Sequence, residues 1–87
     1  MICKLKTKFK LATFGEKTVA IPIDNSDNAF LLNDTSTFIF SRLLCGKEIQ
    51  TILDEMVTKY NVKNDVAQQD IENFISRLKQ QGYAEIN

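Results

Sequence analysis

The 87 residues include no histidine, no tryptophan, one proline, three glycines and two cysteines. Without histidine the chain lacks the usual acid–base group of neutral pH and the commonest zinc ligand. Two cysteines cannot hold an iron–sulfur cluster, which needs four thiolates or close substitutes. Gly15, Gly46 and Gly82 are isolated turn or cap residues, so there is no glycine-rich loop to cradle a phosphate. The carboxylates that neighbour one another, Asp54 with Glu55 and Asp70 with Glu72, fall on polar helical positions and read as solvated charge. Asp70 alone borders an apolar stripe, where a structural bond to a backbone donor is its expected role. Catalysis by this chain is therefore not expected, and neither a metal nor a cofactor is.

Charge of either sign is not in excess: eleven Lys and Arg residues cancel eleven Asp and Glu residues. Phosphate neutralisation supplies most non-specific affinity for nucleic acid, so this balance argues against nucleic acid as a partner. No run approaches the roughly 18 apolar residues of a membrane span, and no apolar segment follows the basic start Met1 to Lys6. A cytoplasmic protein, free of membrane and of disulfides, is expected. Cys45, beside Leu43 and Leu44, reads as a small buried hydrophobe, and Cys3 as part of a frayed terminus.

Apolar residues make up 44% of the sequence, enough for one domain over residues 1–87 with one modest core. Residues 4–14 alternate, with Lys4, Lys6, Lys8 and Lys10 on one side of a strand and Leu5, Thr7, Phe9 and Leu11 on the other. The lysines read as a solvated face that also discourages edge aggregation. Gly15 to Lys17 supply a turn, and Val19, Ile21 and Ile23 resume the alternation in a second strand, with Pro22 restricted to a position where no ladder donor is needed. Asp24 to Asn28 read as a loop and Ala29 to Leu32 as a third strand, which completes an antiparallel meander.

Three helices follow. Asn33 or Asp34 caps the first, which carries Phe38, Ile39, Phe40, Leu43 and Leu44 and stops at Gly46. The second has the cleanest signal, with Ile49, Ile52, Leu53, Met56, Val57 and Tyr60 on one stripe. The third opens on Asp65 and Gln68, spaced as in a capping box, and carries Val66, Ala67, Ile71, Phe74, Ile75 and Leu78 before Gly82. The expected fold class is α+β, winged helix-turn-helix-like: a three-stranded antiparallel sheet followed by three helices. Phe38, Ile52, Leu53, Met56, Ile71, Phe74 and Leu78 are its expected core.

From Val19 to Glu85 the chain resembles the PqqD-like family, whose members are termed RiPP recognition elements. The resemblance rests on Val-Ala-Ile-Pro-Ile at 19–23, Leu-Asn-Asp-Thr-Ser-Thr-Phe-Ile-Phe at 32–40 and Leu-Leu-Cys-Gly at 43–46. Further carriers are Tyr60-Asn61-Val62, Asp70-Ile71, Phe74-Ile75, Leu78 and Gly82-Tyr83. Phe40 stands where the family often has tryptophan, and Glu48 where a Thr or Ser cap is common. The resemblance implies β-augmentation: the leader of a ribosomally made precursor peptide lies along the third strand and packs beside helix three. It also implies two partners, that precursor and a peptide-modifying maturase, often a radical S-adenosylmethionine enzyme carrying its own clusters.

The residues expected at such a site are Ala29, Phe30, Leu31 and Leu32 on the strand and Asp70, Phe74, Arg77 and Leu78 on the helix. The opposite border of helix three would substitute Ile75 and Lys79. A winged-helix DNA-binding protein is the alternative, but residues 65–81 carry only Arg77 and Lys79 against Asp65, Asp70 and Glu72. A small assembly subunit that holds a partner protein in an apolar groove is a third reading.

Overall fold

Alternating apolar residues around Gly15 form a hairpin because the glycine adopts the left-handed backbone (φ +64°) that a tight turn requires. The computed structural model describes residues 2–23 and 29–86. The elements are β1 (Cys3–Leu5), β2 (Phe9–Phe14), β3 (Lys17–Pro22), β4 (Phe30–Leu32), α1 (Asp34–Leu44), α2 (Ile49–Tyr60), α3 (Asn64–Gln80) and β5 (Ala84–Ile86). Strands β2, β3 and β4 make an antiparallel sheet in that order, and the three helices follow it as the periodicity predicts. The expected loop at Asp24 to Asn28 lies outside the described residues.

The N-terminal alternation is not one strand. It breaks after Leu5, and β1 pairs with β5 in a separate two-stranded sheet, Cys3 opposite Ile86 and Leu5 opposite Ala84. The Lys6 N–H donates to the Tyr83 carbonyl at 2.8 Å and carries the pairing one residue further. Here the chain ends satisfy each other's backbone groups, an arrangement that no local pattern announces. The lysine alternation survives the break, since Lys4, Lys6, Lys8 and Lys10 are all exposed.

The cysteines exchange the environments expected of them. Cys3 is held in β1 and is buried, whereas Cys45 follows the last turn of α1 and is exposed. Burial pushes the Cys3 thiol above its ordinary range, against a smaller opposing pull from Lys79. A thiol-directed reagent applied to the native protein should modify Cys45 and spare Cys3 until unfolding, as peptide mapping of the labelled protein would show.

The start of α1 and the end of α3 have local causes. Asn33 caps α1, its side-chain oxygen accepting the Ser36 N–H at 2.8 Å and the Thr35 hydroxyl at 3.0 Å. Asn33→Ala should therefore cost about 0.5–2 kcal/mol in a denaturant titration, and no measurable loss would show that the cap is idle. The capping box expected at α3 does not form. Lys63 precedes that helix without a side-chain cap, and the Asp65 carboxylate accepts the N–H of Val66, which is itself exposed. At the other end of α3, Gly82 (φ +78°) donates to the Lys79 carbonyl and Tyr83 donates to that of Leu78. This left-handed cap turns the chain back toward β1.

The core lies between the inner sheet face and the helices. Ala20, Leu32, Phe40, Ile52, Met56, Ile71 and Leu78 are all buried in it. Leu53, expected to be fully buried, is only half-buried, because it sits at the margin of the α2–α3 contact and lines a surface groove. An aromatic cluster ties sheet to helices. Phe40 meets Phe9 at 5.0 Å and Phe74 at 5.8 Å between ring centroids, and Phe38 meets Tyr60 at 5.7 Å.

Candidate functional site: the open edge of β4 and the flank of α3

Strand β4 is one of the two edges of its sheet among the described residues, and the hydrogen-bond ladder decides which of its backbone groups face outward. Ile23 donates to the Lys8 carbonyl at 2.9 Å, which makes residues 8 and 23 a hydrogen-bonded pair at the end of the β2–β3 register. Bonded and non-bonded pairs alternate along an antiparallel ladder, so Val19 and Ile21 bond toward β2 while Thr18 and Ala20 direct their backbone toward β4. The same count points the missing donor of Pro22 to the β4 side, past the last described pair of Ala20 with Phe30. Thr18 pairs with Leu32 and Ala20 with Phe30, so these two residues of β4 face inward along the ladder. The N–H and C=O of Leu31 consequently point away from the sheet.

The side chains of β4 follow the strand period of two. Leu32 is buried and Phe30 half-buried on the inner face, whereas Leu31 is 58% exposed on the outer one. Ala29 is exposed and precedes the strand. Phe30 lies nearly parallel to Tyr83 at 6.2 Å and edge-on to Phe9 at 6.1 Å, and its ring is 6.3 Å from that of Phe40. Such ring pairs are worth about 0.5–1.5 kcal/mol each beyond area burial, which fixes where β4 stands relative to the helices.

On α3 the four expected residues divide into two kinds. Phe74 and Leu78 are buried in the core, Asp70 is half-buried and Arg77 is exposed. Phe74 reaches Phe40, and Phe40 reaches Phe30, so a chain of rings joins α3 to the open strand. The opposite border of α3 is engaged elsewhere. Ile75 and Lys79 line a groove of about 570 Å³ with Ile49 and Leu53 of α2 and Ile86 of β5. At 3.6 residues per turn, Asp70 and Arg77 lie on the far flank from that groove. Tyr83 was not among the site residues expected from sequence, although its place beside Phe30 puts it next to the open strand. The signal was an aromatic residue directly after the glycine that ends α3.

A small α+β domain whose edge strand β4 is left unpaired on its outer side by the described residues, with a helix nearby, is the class that this geometry defines. The chain belongs to the PqqD family: the family model described as coenzyme PQQ synthesis protein D (PqqD) matches residues 18–84. Among solved structures it is similar to lasso peptide synthetase B1 complexed with the leader peptide, at 26% identity and a TM-score of 0.79, over 97% of this chain and 98% of that one. It is also similar to TbiB1 in complex with the TbiA(beta) leader peptide, at 21% identity and the same TM-score of 0.79, over 97% and 96% of the two chains. No curated protein sequence matches the chain.

Proposed function

We propose that this chain binds the leader segment of a ribosomally synthesised precursor peptide, catalyses no reaction itself, and presents the peptide to a modifying enzyme, often of the radical S-adenosylmethionine kind. The observation that carries this reading is the outward backbone of Leu31 on β4, the edge strand that the ring cluster joins to α3. An extended peptide laid antiparallel or parallel to β4 finds a donor and an acceptor there, and main-chain bonds supply affinity without reference to sequence. Phe30 and Tyr83 offer ring surface beside the added strand, and Asp70 and Arg77 supply polar contacts on the adjoining flank of α3. Phe74 and Leu78 act from beneath by fixing the position of that flank. Lasso peptide synthetase B1, similar to this chain over nearly its whole length, was solved with a leader peptide, which supports the same use of the fold here. The reading places the protein in the cytoplasm, where ribosomal precursors arise.

Calorimetric titration of the full precursor, of its leader alone and of the leaderless core into this protein tests the proposal. Full precursor and leader should bind with equal affinity in a one-to-one complex, and the core should give no heat. Binding of the core with the leader silent would sink the reading.

A further inference from the structure

The outer face of the β2–β3–β4 sheet is apolar, and no described element covers it. Its side chains follow from the register: Ala12, Val19 and Leu31 form one cross-strand row, with Ile21 beside it and Phe14 at the end. Phe14 is 65% exposed and Leu31 58%, Ala12, Val19 and Ile21 are half-buried, and neither Val19 nor Ile21 belongs to the core or packs against it. Lysines frame the patch, Lys10 opposite Ile21 and Lys17 opposite Phe14. Among the described residues no carboxylate lies on this face; Glu16 stands in the hairpin turn at one end.

We infer that this face docks the peptide-modifying enzyme through a complementary patch on that enzyme, apolar at its centre and ringed by carboxylates. The inference rests on the proposed leader-binding role. Contiguous exposed apolar surface of this kind marks an interaction site, and a lysine frame selects an acidic rim by speeding encounter and penalising basic surfaces. A second copy of the chain is a poor occupant, because a twofold contact through this face would set lysine against lysine. Continuity with the peptide site supplies the remaining argument. The backbone of Leu31 faces the open edge while its side chain belongs to the outer face, so a leader added at β4 widens the very sheet on which the enzyme sits. The peptide is thereby delivered alongside its enzyme.

The test uses Ile21→Glu and, as a variant that leaves every apolar group in place, the double substitution Lys10→Glu and Lys17→Glu. Each is titrated separately with the leader peptide and with the purified enzyme that modifies the same precursor, after circular dichroism has confirmed folding. Both variants should bind leader within twofold of wild type and bind enzyme at least tenfold more weakly. The wild-type enzyme complex should weaken as salt is raised. Enzyme affinity unchanged in the charge-reversed variant, or no enzyme complex with wild type, overturns the docking proposal while leaving leader binding intact. Loss of leader binding in both folded variants would instead show the face to be part of the peptide site. Concentration-dependent dimers in sedimentation velocity that Ile21→Glu dissolves would assign the face to a second copy and overturn the proposal. Failure of wild type to bind any leader would mark failure of the peptide reading itself.

Discussion

Truncating Phe40 to alanine should destabilise the protein by about 3–5 kcal/mol, the range for removing a fully buried phenylalanine. Its side chain is 0% exposed and sits against Phe9 of the sheet and Phe74 of α3. Removing it empties the junction of sheet and helices at once, and no neighbour can fill the space without leaving its own ring pair. Domains of this size have stabilities near the low end of about 5–15 kcal/mol, so the variant should be close to unfolding at ambient temperature. Urea titration followed by circular dichroism measures the loss, and a value below about 1 kcal/mol would show that the cluster tolerates the cavity. Leu53→Ala should cost less than Ile52→Ala in the same experiment. Leu53 is half-buried at the groove between α2 and α3, whereas Ile52 is 0% exposed.

The same contrast shows how far the sequence carries. Period 3.6 over Ile49 to Tyr60 places α2 within its observed bounds, because the stripe and the helix are one local fact. The choice between Ile52 and Leu53 as the deeper residue is not local, since it depends on where α3 crosses. Strand β1 is illegible for a similar reason: its partner is β5 at the other end of the chain, and three residues of alternation carry no sign of which sheet they join. That pairing holds Cys3 in the interior, while Cys45 is exposed because it stands past the last turn of α1, so local composition points the wrong way for both. At the candidate site the strand itself was readable from Phe30 to Leu32. The orientation of its backbone was not, because it comes from the parity of a ladder set by the bond between Ile23 and Lys8. The helical half of the site illustrates the opposite limit. The stripe through Ile71, Phe74 and Leu78 is plain in the sequence, yet periodicity alone leaves open which of its borders is engaged by α2.

Leader binding should fall by roughly ten- to a hundredfold in Leu31→Pro, with the fold retained. The substitution removes an N–H that points away from the sheet, so no bond of the β3–β4 ladder is lost, and proline is tolerated on edge strands of this kind. In the complex the same change leaves a peptide carbonyl without its donor and sets the pyrrolidine ring against the incoming strand. An unsatisfied partner costs about 1–3 kcal/mol, which corresponds to the stated loss of affinity. Proline at Leu32 is the control for register. Its N–H belongs to the ladder, so Leu32→Pro should destabilise the free protein, where Leu31→Pro should not. Arg77→Glu reports on the second wall of the site: reversing an exposed charge on the free flank of α3 should weaken an acidic leader and strengthen a basic one, with both effects fading as salt is raised. Calorimetric titration of the leader into wild type, Leu31→Pro and Arg77→Glu decides the matter, with circular dichroism confirming that each variant is folded. If both variants are folded and bind leader with wild-type affinity, the peptide does not run along β4, and the open edge has another use.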